Sequence, residues 1–443
     1  MGDTNFYTGN LLISVGKLNK PGIYKLCIAI ALAVIAIEIF EVTTPIVFAA
    51  EVSSTRSTES VDQPKPADGE VRSINEALRS PEHWRGADGA MTVELSKTKT
   101  LWLFGDTWIY CDMGKGGQPK QMVNNSVAIQ NSDCEAESAA VGSLESICID
   151  SMCWSFWCKG SVSNPGSTFT ASEQGSYYWP GCGTVYDGKL YLLLKKIRKK
   201  DDPNPLFQFD WYSDDLVIVS NPQDPPKAWH YSITQITDAE HDVRFGLACT
   251  KDKEYFYSLC FLHDFPKAKK KTILARISWK DVLAHNTNNW QYWSHTDKHL
   301  EGAWGNDYGN AMNIIPDCGP EASLFFHKGL NCFVTVYQPP LSPDVRLRVA
   351  KKIEGPWSES LKIFTVPERI LTNGKTSLSY AGKAHESLST GNTIVFSYCE
   401  NPGGLEDHVA NPDVYFPTVR TYTISPSKVR EMLDGAGVSA PKP

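Results

Sequence analysis

From Met91 onward, apolar residues come in short runs, many of them alternating with polar ones, split by Gly, Pro, Asn and Asp. A period of two over a few residues is the mark of a half-buried β-strand. The runs fall into five sets. The first is Met91–Leu95, Leu101–Phe104 and Ser126–Gln130. The second is Gly183–Tyr186, Leu190–Leu194, Phe207–Phe209 and Leu216–Ser220. The third is Leu247–Thr250, Tyr255–Phe261 and Thr272–Ser278. The fourth is Ala322–His327, Cys332–Tyr337 and Val345–Ala350, and the fifth Ala384–Leu388, Thr393–Tyr398 and Thr418–Ile424. Within sets the runs are joined by turn chemistry such as "DGK" at 187–189, "KGLN" at 328–331 and "STGN" at 389–392. A short helix over Ile74–Leu78 precedes them, and no long helical period competes. Three- or four-strand groups recurring at intervals of roughly 50 to 80 residues predict an all-β chain, a five-bladed β-propeller, with a pair of β-sandwiches as the alternative.

Residues 131–176 fit none of the sets. They hold Cys134, Cys148, Cys153 and Cys158 and predict a Cys-containing insertion between blades 1 and 2. The domain plan is then a leader over 1–50, a disordered linker over 51–72, the propeller over 73–430 and a C-terminal tail over 431–443. In the leader, Lys17, Lys20 and Lys25 precede the apolar run Leu26–Ile37, and Ala49 and Ala50 follow. That run is short for a membrane span but fits a secretory signal, with an uncleaved anchor over Leu26–Phe48 as the alternative. Either form predicts an exported chain that touches membrane only through its N-terminus. Eleven of the 12 cysteines lie beyond the leader, an odd number, so at least one stays unpaired or bonds another chain. The cluster's spacings lack the Cys-x2-Cys form of a zinc site and favour disulfides.

Composition narrows the function. A net charge of −7 argues against a nucleic-acid partner, and the basic runs Lys195–Lys200 and Lys267–Lys271 read as solvated hairpin loops. The 13 Trp suit buried strands and also stacking faces for sugar rings. Among the described motifs of catalysis, the chain lacks a G-x-S-x-G elbow, an H-E-x-x-H helix, a Walker loop and a G-x-G-x-x-G turn.

In a propeller the first strand of each blade lines a central channel. The polar residues at those starts are Asp88 in "GADGA", Trp179 in "YYWPG", Arg244 in "VRFG", Glu321 in "GPEAS" and His385 with Glu386 in "KAHES". Asp106, in "LWLFGDTW", ends a strand of the same blade as Asp88. Two carboxylates are the minimum apparatus for glycoside hydrolysis: one protonates the leaving oxygen, the other attacks or activates water, and close carboxylates drive their proton affinities apart. Each residue also has a plain structural role open to it: Asp88 and Asp106 as turn residues, Glu321 at a strand edge, His385 in the core, and Asn125, within the sequon Asn124-Asn125-Ser126, in a turn.

The stretches "WRGADGAMTVEL", "LWLFGDTW" and "MVNNSVAIQ", with "YYWPG", "FGLAC", "AGKAHESL" and "YFPTVRTY" later, resemble the exported propeller family known as domain of unknown function 4185. The resemblance runs over roughly 84–424 and implies a five-bladed propeller of the D-arabinanase type that cuts bacterial arabinan. It implies catalytic roles for Asp88 and Asp106 and places an Asn of the family at Asn125. The resulting expectation is an exported, monomeric glycoside hydrolase acting on a polysaccharide with furanoside linkages. Asp88 and Asp106 are its catalytic pair, and Asn125, Trp179, Glu321, His385 and Glu386 bind substrate, with no metal and no cofactor. The alternative is a non-catalytic carbohydrate-binding propeller at the cell surface.

Overall fold

The computed structural model describes residues 69–436 except 111–120, 134–142, 202–208, 239–240, 265–268 and 297–298, together with an isolated hairpin of Phe6–Thr8 and Leu11–Ile13. The predicted leader and linker therefore lie almost wholly outside the described residues, as do Cys134 and the C-terminal tail beyond 436. Among the described residues no helix is long and apolar enough to cross a membrane.

Five antiparallel sheets follow one another along the chain, each with neighbouring strands mostly in chain order. The first holds Met91–Glu94, Lys99–Phe104 and Ser126–Asn131, then Met152–Trp157 and Glu145–Ile149 at its outer edge. The second is built from three long strands, Ser176–Tyr186, Lys189–Lys199 and Phe209–Val219, edged by Tyr231–Gln235. The third runs from Val243–Lys251 through Tyr255–Asp264 and Lys269–Ser278 to Gln291–Thr296 and His299–Gly305. The fourth holds Phe325–His327, Cys332–Tyr337, Asp344–Ala350 and Leu361–Thr365, and the fifth Leu378–Ala384, Thr393–Asn401 and Thr418–Thr423. The chain is thus all-β, with one short helix at Arg72–Arg79 ahead of the sheets.

The turns explain why the strands pair where they do. Asp187 and Gly188 both adopt positive φ, 46° and 71°, the geometry that lets a two-residue turn follow the twist of the strands it joins. Tyr186 and Lys189 are accordingly paired.

The sheets touch in cyclic order through their early strands. The inner face of Gly183 lies against Val93, joining the first and second sheets. Gly181 backs onto Gly246, so closely that a Cβ on 181 would meet the Gly246 carbonyl oxygen at 2.7 Å. Ala322 N–H donates to Leu247 O at 3.0 Å, joining the third sheet to the start of the fourth. Ala384 N–H donates to Ser323 Oγ at 3.1 Å, joining the fourth to the fifth. Thr92 Oγ1 and His385 Nδ1, 3.0 Å apart, join the fifth to the first. Residues 69–71 then run along the outer strand of the fifth sheet: Thr421 N–H donates to Gly69 O and Val71 N–H to Val419 O, while Asn75 clasps Val419 through both amide atoms.

Buried aromatics fill the space between sheets. Trp84, Trp102, Trp154, Phe104 and Phe156 form one cluster, and Trp102 Nε1 is satisfied by Gln130 Oε1 at 2.8 Å. Burying side chains of this size dominates the stability of a sheet assembly.

Two expectations change. The segment 131–176 is in part taken into the first sheet: Glu145–Ile149 and Met152–Trp157 extend it, with Cys148 and Cys153 directly paired across that hairpin and joined by a disulfide, while Lys159–Ser161 and Asn164–Gly166 pair in a separate two-stranded sheet. Cys158 and the remaining described cysteines are thiols. The run Lys195–Lys200 is not a loop: its first five residues close the strand Lys189–Lys199, with Lys195 and Lys196 buried.

Candidate active site

A small sheet of Trp84–Ala87, Thr107–Ile109 and Gln121–Val123 sits beside the first large one, and the chain passes between the two sheets three times, the third time through Asn124 and Asn125. Asp88 lies at the first passage and Asp106 at the second. Ala87 pairs with Thr107; Asp88 N–H donates to Asp106 O at 3.2 Å and Gly105 N–H to Asp88 O at 3.0 Å. The two carboxylates therefore stand opposite one another on a backbone tied by hydrogen bonds. Gly105 is required here, since a Cβ at 105 would collide with Asp88 Oδ1. That is the physical content of the Gly-Asp pair in "LWLFGDTW".

Each carboxylate has its own donors. Asp88 Oδ2 accepts from Tyr380 Oη at 2.7 Å, and the Tyr415 hydroxyl also bonds the same carboxylate. Asp106 Oδ1 accepts from Trp179 Nε1 at 2.9 Å and from Asn124 Nδ2 at 3.1 Å. Burial pushes the Asp88 carboxyl up to about 7, helped by the charges of Asp106 and Glu321 and opposed by the two tyrosine hydroxyls. Burial raises Asp106 as well, against the pull of Trp179, Asn124 and, more weakly, Lys199. Both side chains keep partial access to solvent.

Glu321 completes the group from the fourth sheet. Lys383, almost fully buried, forms an ion pair with Glu321 Oε2 and donates to the carbonyl of Gly89, next to Asp88. Lys195 donates to the carbonyl of Pro320, the residue before Glu321, at 3.1 Å. Trp179 lies edge-on between Tyr177 and Phe209, with ring centroids 5.6 and 4.8 Å away.

Of the residues expected from sequence, Asp88, Asp106, Trp179 and Glu321 are brought together; Asn125, His385 and Glu386 are placed elsewhere. Asn125 is fully buried, with its amide donating to Phe169 O and Tyr178 O and accepting from Phe169 N–H, so it secures a loop and presents no exposed surface to a ligand. Its neighbour Asn124 reaches Asp106 instead. His385 is inaccessible, its ring 5.0 Å from that of Trp102, and burial together with Lys383 pushes its imidazole down to about 3. Glu386 is exposed at the head of a short turn, among Glu94, Lys251 and Lys328 rather than the aspartates. Trp108, just past Asp106, is buried and donates to His408 Nδ1 at 3.1 Å, so it belongs to the core.

Sequence reading missed Tyr380, Lys383 and Tyr415. The first two lie on Leu378–Ala384, the strand that begins ahead of the apolar run from which it was predicted. Their signal was present in "SLSYAGKA", where Tyr380 and Lys383 flank two small residues. Among the described residues no group of three or more His, Cys, Asp or Glu is placed to hold a metal ion.

The family model described as Domain of unknown function (DUF5005) matches residues 72–421. This overturns the resemblance to family 4185, whose quoted stretches are short strand-and-turn patterns that related sheet folds can share. No curated protein matches the sequence significantly. Among solved structures, a Bacteroides ovatus protein provisionally described as a hydrolase aligns with a TM-score of 0.60 at 18% identity, covering 84% of this chain and 92% of that one. At that identity the likeness is one of fold. A GH43_1 enzyme from Xanthomonas citri complexed with xylotriose aligns at 0.38 and 10% identity over 81% of this chain and 90% of its own. A Bombyx mori GH32 β-fructofuranosidase aligns at 0.41 and 10% identity, covering 78% and 63%.

Proposed function

The chain belongs to the DUF5005 family, and from that footing we propose that it is a glycoside hydrolase whose five cyclically packed sheets are the blades of a propeller. The observation that carries the proposal is the opposed pair Asp88 and Asp106, one of them held protonated to about neutral pH by burial and by its partner's charge. A lone structural aspartate has no need of such a neighbour, whereas hydrolysis of a glycosidic bond needs an acid and a base on facing elements.

In this mechanism the Asp88 carboxyl donates its proton to the glycosidic oxygen as the bond to the anomeric carbon breaks. Tyr380 and Tyr415 fix its orientation and stabilise the carboxylate that results. Asp106, held by Trp179 and Asn124, acts in its carboxylate form, either attacking the anomeric carbon or taking a proton from the attacking water. Lys383 holds Glu321 and the Asp88–Gly89 turn in one frame. A sugar face would stack on the half-buried rings of Trp179 and Tyr177. Arabinan as substrate was implied by the overturned resemblance, so furanosides enter only as one member of a panel. Export follows from the leader pattern and belongs to this proposal too.

The test is incubation of the protein with a panel of furanoside and pyranoside polysaccharides, followed by product analysis. Wild type should release oligosaccharides from at least one member, and Asp88→Asn and Asp106→Asn should each lose about a thousandfold in rate while remaining folded. Cleavage at wild-type rates by both variants would refute the assignment.

A further inference from the structure

The basic run "KKIRKK", residues 195–200, is resolved by the strand it enters. Side chains of a strand alternate between its two faces, and the register divides the run accordingly. Lys196 faces one side, where its ammonium pairs with Glu173 at 3.1 Å and Asp215 at 3.2 Å and lies near the rings of Tyr178 and Tyr212. Arg198 follows on that side, its guanidinium 3.4 Å from the centroid of Tyr212 and Nε bonded to Ser176 Oγ. Lys200, just past the strand, pairs with Asp210 at 3.2 Å. The charges at 196 and 200 are thus matched by acids, and the guanidinium at 198 is stacked.

The other face is the one that meets Asp106. Trp179, which bonds Asp106, is opposite Lys195 in the ladder; Tyr177 is opposite Ile197, and Phe209 opposite Lys199. Lys195 and Lys199 both project from this face, and among the described residues neither has an acidic side chain within ion-pair distance. The acids on this side are engaged otherwise. Asp106 is bonded by Trp179 and Asn124, Glu321 by Lys383, and Asp214, opposite Lys195, by Trp211, Thr237 and the Phe245 N–H. Lys195 is 6% exposed, finds a carbonyl at Pro320, and has its ammonium 5.4 Å from the ring centroid of Trp211. Lys199 is exposed at the rim. Burial loosens the hold of Lys195 on its proton, and the charges of Glu321 and Asp214, each already bonded by other donors, offset this only in part; an anion bound beside it would add to that offset.

We propose that the glycan bound at this site carries an anionic substituent, a carboxylate or a sulfate, which Lys199 at the rim and Lys195 deeper in the cleft recognise beside the wall of Tyr177, Trp179 and Phe209. The inference rests on the glycoside-hydrolase reading of the site, and it names the substrate class as acidic polysaccharide. An aromatic wall selects any sugar with an apolar face; the two ammonium groups discriminate by charge.

The test reads binding rather than turnover, so that it stands apart from the hydrolase assignment. The full chain carrying Asp88→Asn is titrated calorimetrically with three tetrasaccharides of matched length: an oligogalacturonide, a sulfated galactan fragment and a neutral galactan fragment. One acidic probe should bind about tenfold more tightly than the neutral one at low salt, and which of them does so separates carboxylate from sulfate. The preference should shrink in half-molar salt. Lys199→Gln should cut it about fivefold, the size expected of a partly exposed charge pair, and Lys200→Gln, whose charge is already matched, should leave it intact. Equal binding of acidic and neutral probes, no binding of any, or a preference untouched by Lys199→Gln would overturn the inference. Wild-type cleavage of neutral glycans with no acidic preference would remove it while leaving the hydrolase assignment standing.

Discussion

Asp88→Asn should make the folded protein more stable at alkaline pH while it cuts hydrolysis about a thousandfold. The Asp88 carboxyl is raised from 3.8 to about 7 by burial and by the charges of Asp106 and Glu321. A carboxyl with a raised folded-state value binds its proton more tightly when folded than when unfolded. Its contribution is favourable at low pH and is lost as pH rises from the unfolded value near 4 to the folded value near 7, after which it stays lost. At 1.36 kcal/mol for each tenfold change in proton affinity, the loss amounts to roughly 4 kcal/mol above neutral pH. Asn is neutral at every pH and of the same shape, so it escapes this loss. It accepts one of the two tyrosine hydroxyls less well, costing about 1 kcal/mol. The net gain at pH 8 is therefore about 3 kcal/mol at most, vanishing by pH 4. Urea or thermal unfolding of wild type and variant at pH 4, 6 and 8 measures it, with the midpoint difference opening as pH rises. A variant no more stable than wild type at pH 8, or equally stabilised at pH 4, would refute the account of Asp88 as a carboxyl held protonated by its surroundings.

Removing either tyrosine donor, by Tyr380→Phe or Tyr415→Phe, takes away a group that lowers the Asp88 value. The basic limb of the pH–rate profile should therefore move to higher pH, and an unmoved limb would separate Asp88 from the acid role. Lys383→Met leaves Glu321 and the Gly89 carbonyl without their shared donor and should cost about 3 kcal/mol in denaturant unfolding at pH 8; adding Glu321→Gln should recover part of that loss. Asn125→Ala strips three hydrogen bonds from buried backbone groups and should destabilise by roughly 2–4 kcal/mol, read as a fall in unfolding midpoint. Replacing Cys148 and Cys153 by Ser opens a very short loop, so the loss should be only about 2 kcal/mol and the first sheet should persist by circular dichroism.

The alternating runs located the inner strands of the sheets because those strands are buried on a regular pattern: Leu101–Phe104 and Leu190–Leu194 lie within strands whose apolar faces are wholly covered. The outer strands were harder to see. Tyr231–Gln235 is mostly exposed, and its only apolar residues, Tyr231 and Ile233, are too short an alternation to mark a strand. Gln291–Thr296 and Leu361–Thr365 were missed as well. At the site, the two aspartates stood out as glycine-flanked residues at strand ends, although local sequence left a plain turn as open to each as chemistry. Tyr380 and Tyr415 did not, because a tyrosine in a strand reads as packing until its hydroxyl is seen to reach a carboxylate from far along the chain. His385 shows the converse error: a histidine beside a glutamate looks like chemistry, yet the fold seals it against Trp102.

The residues at 69–71 lie antiparallel beside Val419–Thr421, so the two ends of the sheet assembly are neighbours in space. A short linker could join them, and the chain could then begin and end at another turn, for instance at Asp187–Gly188 on the surface of the second sheet. In such a circular permutant the contact between residues 69–71 and Val419–Thr421 would become a local hairpin, while the strands on either side of the new opening would have to find each other across the whole sequence. The position of the termini would thereby decide which sheet forms last and which end of the protein is first to loosen under load.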